Sequence, residues 1–208
     1  MLLLKRLDRE IKLFSIVFIL ILIVPAFAGD YQIKVLSKFI LFGIFAISLD
    51  LIWGYAGILS FGHAAYFGLG AYVTTLVLSH FQIAQSILAV VSSTVVPAIL
   101  ALILSLFLMY GKVSGVYFAI ITLVVSLILE QVTIVWYSLT RGLTGFTPIP
   151  SLNLFGALLN ADTHGGLLKY YYLISIIAAV VFFLLYLLSR SKFGLLLQAV
   201  KNDPRRAQ

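Results

Sequence analysis

The sequence predicts an all-α protein, a polytopic bundle of about six transmembrane helices. Its 208 residues are 62% hydrophobic and only 10% charged, whereas a soluble domain is about half apolar and about a quarter charged. No Asp, Glu, Lys or Arg lies between Leu51 and Gly111. That stretch can hold at least two crossings, since one crossing takes about 20 apolar residues. This composition excludes a soluble enzyme, a disordered chain and a disulfide-built secreted module.

Hydropathy and helix-breaking residues place six candidate helices along the chain. They cover roughly residues 13–28, 39–53, 61–79, 86–109, 115–138 and 170–189. Residues 1–12 are predicted to be a cytoplasmic N-terminal segment, 13–189 the transmembrane domain and 190–208 a cytoplasmic segment. Within the transmembrane domain, the segment from about residue 139 to residue 169 is too polar to span the membrane. It is predicted to form a long external loop.

The positive charges predict the orientation of the chain. With six crossings and a cytoplasmic N-terminus, ten of the fourteen basic residues fall inside, the bias expected of cytoplasmic loops. The inside group is Lys5, Arg6, Arg9, Lys12, Lys112, Arg190, Lys192, Lys201, Arg205 and Arg206. The outside group is Lys34, Lys38, Arg141 and Lys169. Both termini are therefore expected in the cytoplasm.

The first helix has a second interpretation. Basic residues, an apolar stretch and Ala26-Phe27-Ala28 resemble a secretory signal with its cleavage site. The flank also contains Asp8 and Glu10, and the rest of the chain is equally apolar. We therefore expect the first helix to be retained, with cleavage before Gly29 as the alternative.

Sequence motifs of enzymes are missing. Gly111-Lys112 is followed by Val113 and lacks the earlier glycine of a phosphate-binding loop. The three histidines, His63, His80 and His164, lack the paired spacing of metal ligands. We therefore expect no catalytic residue, no metal site and no cofactor in this chain.

A polar stripe runs along the fifth candidate helix. Thr122, Ser126, Glu130, Thr133 and Tyr137 follow one another at spacings of three or four, which places them on one face. A charge inside a membrane helix is expensive and should face protein or water. One interpretation is a substrate path. The other is hydrogen bonding between helices, worth about 0.6 kcal/mol per contact.

Glycines cluster just before the third candidate helix. Gly54, Gly57 and Gly62 favour a loop or a broken helix, and broken helices border many transporter binding sites. The alternative is that small residues let helices pack closely. Asp50, at the end of the second helix, is read as an anchor or a loop cap. From the stripe and the glycine region together, seven residues are assigned to a substrate path: Glu130, Ser126, Thr122, Thr133, Gly57, Ser60 and His63.

The segment after Ser189 differs from the rest of the chain. Arg190-Ser191-Lys192 leads into a short apolar run that ends at basic residues, a pattern typical of an amphipathic helix at a cytoplasmic exit. Such a helix can lie on anionic lipid. It can equally dock its apolar face into the groove of a cytoplasmic partner.

Three motifs resemble those of branched-chain amino acid ABC transporter permeases, the membrane subunits of the Leu/Ile/Val importer and relatives such as urea and amide permeases. Gly54–Tyr72, GYAGILSFGHAAYFGLGAY, is similar to the family signature. Trp136–Gly145, followed by Ile149-Pro150, resembles its external glycine-rich segment, although some relatives have Thr-Gly-Gly where this chain has Thr140-Arg141-Gly142. Ser191–Asp203 resembles the cytoplasmic loop that meets the ATPase subunit.

The resemblance implies a multi-pass permease subunit in the inner membrane of a prokaryote. Its partners would be cytoplasmic ATP-binding subunits, a second homologous permease, an external binding protein and membrane lipid, with no nucleic acid. ATP would bind to the partner ATPase. The residues implied to couple to that ATPase are Phe193, Gly194, Ala199, Asn202 and Asp203. Members usually continue through further helices, so the resemblance also implies a chain cut short within this loop.

Three functions compete on this basis. The leading one is the membrane subunit of an ATP-driven importer of branched-chain or related small amino acids, and a urea or short-amide permease shares its motifs. The second is an ion-coupled secondary transporter or channel that uses Glu130. The third is a purely structural membrane subunit. The sequence does not identify the substrate.

Overall fold

The computed structural model describes residues 15–80, 86–113, 115–146, 152–154, 157–159 and 163–202. Almost all of these residues are helical. The helices are α1 (Ser15–Ala26), α2 (Asp30–Asp50), α3 (His63–His80), α4 (Ser86–Tyr110), α5 (Val116–Val135), α6 (Tyr137–Thr140), α7 (His164–Arg190) and α8 (Lys192–Asn202). Two short strands, β1 (Leu152–Leu154) and β2 (Ala157–Leu159), pair with each other.

Four helices are long and apolar enough to cross a membrane. They are Asp30–Tyr55, which is α2 with one further turn, and α4, α5 and α7. Very few residues in these helices are buried by the chain itself, so their apolar side chains face outward. An apolar helix that stays uncovered by its own protein is suited to lipid or to another subunit. The prediction of an all-α, polytopic membrane protein is confirmed.

The helical segments group into two compact units. One consists of Met1–Ala46 and Leu159–Leu187, and the other of Ile47–Leu158 and Leu188–Gln208. The first unit contains α1, most of α2 and most of α7. The second contains α3, α4, α5, α6 and α8.

In the first unit the core consists of Ile33, Leu167 and Tyr171, with Ile21 packed against it. The hydroxyl of Tyr171, which is almost fully buried, donates to the carbonyl oxygen of Ile21 at 2.7 Å. This bond supplies a donor to one of the carbonyls left unpaired at the end of α1. Helix α1 is therefore an integral part of this core.

In the second unit α3 packs most extensively against α4. A Cβ atom at Gly70 would lie 3.1 Å from the carbonyl oxygen of Ser93 and 3.7 Å from Cγ of Pro97. Pro97 lacks the N–H that would otherwise bond the Ser93 carbonyl four residues earlier. The glycine thus allows α3 to lie against the turn of α4 that proline has opened.

Helix α5 ends earlier than the hydropathy pattern indicates. It stops at Val135, and Trp136 has ψ +59° before the short α6 begins. The hydroxyl of Thr140 donates to the carbonyls of Thr133 (2.6 Å) and Trp136 (2.8 Å), which stabilises the break. Tyr137 is consequently outside the helix that carries the polar stripe. Helix α7 in turn begins at His164, within the segment expected to be external loop.

Two hydrogen bonds constrain how often the chain crosses the membrane. His164 Nδ1 lies 2.5 Å from Asp30 Oδ1, which joins the starts of α2 and α7. Lys201 Nζ donates to the carbonyl of Gly54 at 2.7 Å, which joins the end of α2 to α8. Segments joined in this way lie on the same side of a membrane, so an even number of crossings separates each pair. In each interval the described residues contain three long apolar helices. If all three cross, we expect α3 to supply the fourth crossing.

Helix α3 is 18 residues long, about 27 Å at 1.5 Å per residue, close to the thickness of the hydrocarbon core. If α3 crosses, cysteines placed at its two ends should react from opposite sides. The chain contains no cysteine, so Leu59→Cys and Ser79→Cys, both at exposed positions, can each be labelled with a membrane-impermeant maleimide. We expect one to react in intact cells and the other only in inverted vesicles. Labelling of both from the same side would contradict the crossing.

Candidate functional site

The glycine-rich segment between α2 and α3 is a true interruption of helical structure. After Asp50 the chain makes one π-helical turn, Leu51–Tyr55, and then runs without regular structure to Gly62. Gly57 has φ +71°, a backbone conformation that L side chains rarely adopt. Of the two structures left open by the sequence, a loop or a broken helix, the chain adopts a short irregular link between two helices. We call Ala56–Gly62 the glycine link.

Two hydroxyl groups of α5 hold the end of this link. The backbone N–H of Phe61 donates to Thr122 Oγ1 at 3.2 Å, and its carbonyl accepts from Ser126 Oγ at 3.0 Å. Thr122 is almost fully buried and also donates to the carbonyl of Ala119. Both backbone groups of one non-helical residue are thus paired by the first two members of the polar stripe.

The link also lies very close to α5 and is tied to α2. A Cβ atom at Gly62 would lie 3.3 Å from Cβ of Thr122 and 3.4 Å from its carbonyl oxygen, so a side chain there would crowd α5. His63 Nε2 lies 2.7 Å from the hydroxyl of Ser48 on α2. In this arrangement His63 and Gly62 have structural partners. Ser60 lies inside the link and is half-buried.

A cleft of about 500 Å³ lies beside α3, α5 and α6, within the range of about 300–1,000 Å³ seen for small-molecule sites. Three residues of the stripe line it: Ser126, Glu130 and Thr133. Its walls are otherwise mainly apolar and aromatic, with Tyr72 from α3 and Trp136 from the break after α5. The cleft therefore combines one carboxylate with a large apolar surface.

Glu130 is exposed on the surface of α5, a helix long and apolar enough to cross a membrane. Among the described residues, its carboxylate takes part in no hydrogen bond or ion pair. A charge in contact with lipid at this depth costs about 2.5–3.5 kcal/mol on insertion scales. The face of α5 that carries Glu130 is thus suited to water or to another protein chain.

Helix α8 approaches the other end of the glycine link. The ammonium group of Lys201 donates to the carbonyl of Gly54, and a Cβ atom at Gly57 would lie 2.7 Å from Cγ of Lys201. A cation at the C-terminal end of a helix is stabilised by the helix dipole and by the unpaired carbonyls. The carboxylate of Asp50 lies against Gly54, since a Cβ atom there would overlap it. Charges of both signs therefore contact Gly54.

The two sides of α8 have different surroundings. Gly194 is buried, and a Cβ atom there would overlap the backbone of Ser189 and Leu188 at the end of α7. Lys201 is exposed but donates to Gly54 from the same side of the helix. Phe193, Leu196 and Ala199 share another face and are exposed. Of the coupling residues implied by resemblance, Phe193 and Ala199 thus face outward and Gly194 forms the corner between helices. Asn202 is the last described residue of α8, and Asp203 lies outside the described residues.

The site contains residues that the sequence pattern did not single out. Lys201 was counted only as one of the inside charges, and Tyr72 and Trp136 were not assigned to the path. The spacing of Gly194 and Lys201 places them on one helix face. This spacing could have indicated that Lys201 contacts another part of the chain. No local pattern indicates which carbonyl it meets, because that carbonyl is 147 residues away.

Comparison with known families covers most of the chain. The family model described as the permease component of the branched-chain amino acid transport system matches residues 31–208. The chain belongs to this permease family. The membership confirms the resemblance carried by the glycine motif, and it makes the protein a transport component rather than an enzyme. No match was found among curated proteins or among solved structures.

The Phe61 contacts predict the effect of removing one hydroxyl. Thr122→Val keeps the shape of the side chain but leaves the N–H of Phe61 without its acceptor. An unpaired donor costs about 1–3 kcal/mol when it is fully buried, and the Phe61 N–H is partly buried. We expect a loss of about 1 kcal/mol and an unfolding temperature lower by roughly 2–4 °C in detergent.

Thr94→Val is the matched control. Thr94 is exposed on α4, and within the described residues its hydroxyl bonds only to Val90 of its own helix. This variant should unfold within about 1 °C of the unaltered protein. Equal unfolding temperatures for the Thr122 and Thr94 variants would show that the Phe61 bond contributes nothing to stability.

Proposed function

We propose that this chain is the membrane-spanning permease subunit of an ATP-driven importer of branched-chain amino acids. Membership in the permease family supports the transport role and the substrate class. ATP would bind to a separate cytoplasmic ATPase. A second permease subunit and an external binding protein would complete the importer, and the complex would lie in the inner membrane of a prokaryote with both termini of this chain in the cytoplasm.

One observation carries the ATP-driven part of the proposal, namely the contact between α8 and the glycine link. The outer face of α8 presents Phe193, Leu196 and Ala199, an apolar surface suited to the groove of a partner. Its inner face holds Gly54 through Lys201. A force applied to the outer face would reach the link directly, because the same short helix carries both.

The link then offers a route to the cleft. Displacement at Gly54 would act on residues 56–62, whose far end is bonded to Thr122 and Ser126 at Phe61. Ser126 also lines the cleft that contains Glu130. Alternating access would consist of two arrangements of the link and α5, with ATP binding to the partner favouring one of them. In this mechanism Gly57, Ser60 and His63 belong to the moving segment and Glu130 and Thr133 to the path.

The energy source distinguishes this proposal from an ion-coupled transporter that uses Glu130. We expect uptake of labelled leucine, in cells that express the complete operon, to continue when a protonophore collapses the proton gradient. Uptake should stop when ATP is depleted. The opposite pattern, loss with the protonophore and survival without ATP, would favour the secondary transporter.

Lys201→Met tests the contact that carries the proposal. The change removes the ammonium group while retaining much of the aliphatic chain beside Gly57. We expect amino-acid uptake and substrate-stimulated ATPase activity to fall at least about fivefold, since a hydrogen bond to a charged group is worth about 1.5–3 kcal/mol. Co-purification of the ATPase subunits should be unchanged, because the outer face of α8 is intact.

Lys192→Met is the control on the same helix. Lys192 is the first residue of α8 and is exposed, so its loss removes the same charge without touching Gly54. We expect uptake close to that of the unaltered protein. An equal loss in both variants would assign the effect to the general charge of α8, and no loss in either would contradict transmission through Lys201.

A further inference from the structure

The serine and threonine hydroxyls that line the cleft beside α5 can only accept hydrogen bonds from a ligand, because their own protons are already used. Ser126 donates to the carbonyls of Phe61 and Thr122. Thr133 donates to the carbonyl of Glu130 at 2.6 Å, and Thr140 donates to the carbonyls of Thr133 and Trp136. Each hydroxyl has one proton, so what remains on these oxygens is lone pairs.

The acidic side chain of the cleft favours the same kind of ligand as these oxygens, namely one that donates hydrogen bonds. Among the residues that line it, Glu130 is the only acidic side chain, and no Lys, Arg or His is present. Its carboxylate is exposed and takes part in no hydrogen bond or ion pair within the described part of the chain. A carboxylate accepts hydrogen bonds and cannot donate when ionised. A cation that brings its own N–H donors therefore complements it.

The remaining walls favour an organic cation with an apolar body. Leu69, Val73 and Leu76 of α3 line the cleft, as do Leu129 and Val132 of α5. Tyr72 and Trp136 add aromatic rings, whose faces attract cations. Their O–H and N–H groups are also the side-chain donors available to a carboxylate. An inorganic cation would gain nothing from the apolar walls.

We propose that this cleft binds the primary ammonium group of an aliphatic amine, with Glu130 as its counter-ion and the hydroxyl oxygens of Ser126 and Thr133 as further acceptors. This inference rests on the proposed function, in which the amine is the α-amino group of the transported amino acid. The branched side chain lies against the aliphatic walls. Neutral urea and short amides lack the charge that Glu130 complements, so the cleft favours the amino-acid importer over the amide permease.

The test compares probes that differ in one group. The full chain in lipid nanodiscs is titrated with L-leucine, 3-methylbutylamine, which lacks the carboxylate, and 4-methylpentanoate, which lacks the amine. We expect leucine and the amine to compete for one site, and 4-methylpentanoate and urea to compete at least about tenfold more weakly. Competition by 4-methylpentanoate as strong as that by leucine would overturn the proposal, as would a failure of both amine probes to bind.

Variants assign the effect to the carboxylate. Glu130→Gln should weaken both amine probes at least about tenfold, the change produced by loss of one charge-assisted hydrogen bond. Glu130→Asp, which keeps the charge, should retain the preference for the amine probes. Gln131→Leu is the control, because Gln131 is adjacent but does not line the cleft. Equal amine affinity in the unaltered protein and Glu130→Gln would overturn the proposal.

The two proposals fail in different ways. If Glu130→Gln binds and transports leucine as well as the unaltered protein, the ammonium site is wrong and the importer function stands. If the unaltered protein, assembled with its ATPase subunits, takes up no amino acid when ATP is supplied, the importer function is wrong. Any binding of amines in the nanodisc would then belong to a site that has no role in amino-acid import.

Discussion

The structure depends on one constraint, which is that backbone groups outside a regular helix need hydrogen-bond partners. In a membrane protein only protein or water can supply them. Side chains from other elements do so at the interruption between α2 and α3: hydroxyls of α5 pair both backbone groups of Phe61 in the glycine link, and Lys201 pairs the carbonyl of Gly54 in the turn before it. These bonds join α5 and α8 to the segment between α2 and α3.

The same bonds explain why two interpretations of the polar stripe are compatible. Thr122 and Ser126 make the contacts that hold elements together, which is the structural role. Glu130 and Thr133, further along the same face, line the cleft. The face has both roles because the glycine link contacts Thr122 and Ser126, whereas Glu130 and Thr133 lie further along α5 beside the cleft. Along α5, the first residues of the stripe therefore bond to the glycine link and the later ones line the cleft.

Much of the fold and part of the site follow from the sequence. The long apolar helices and the glycine interruption are predicted by hydropathy and by breakers, and the family by its motifs. The end of α5 is less predictable, since Trp136 and Tyr137 continue an apolar pattern and the break is stabilised by Thr140. Helix α3, predicted as the candidate helix 61–79, is less apolar than the four long helices because it carries tyrosines, threonines and glycines. The pairing of helix ends supports its crossing.

By itself, the sequence determined that the chain is a polytopic membrane protein, that it interrupts a helix near Gly57 and that it belongs to a transport family. These properties are local: composition, periodicity and short motifs carry them. Only the tertiary structure decided that the hydroxyls of α5 hold Phe61, that Lys201 reaches Gly54 and that Glu130 shares a cleft with Tyr72. The bond between Phe61 and Thr122 joins residues that are 61 positions apart in the sequence. The bond between Lys201 and Gly54 joins residues that are 147 positions apart. No pattern of neighbouring residues specifies such pairs, because packing of whole helices brings them together.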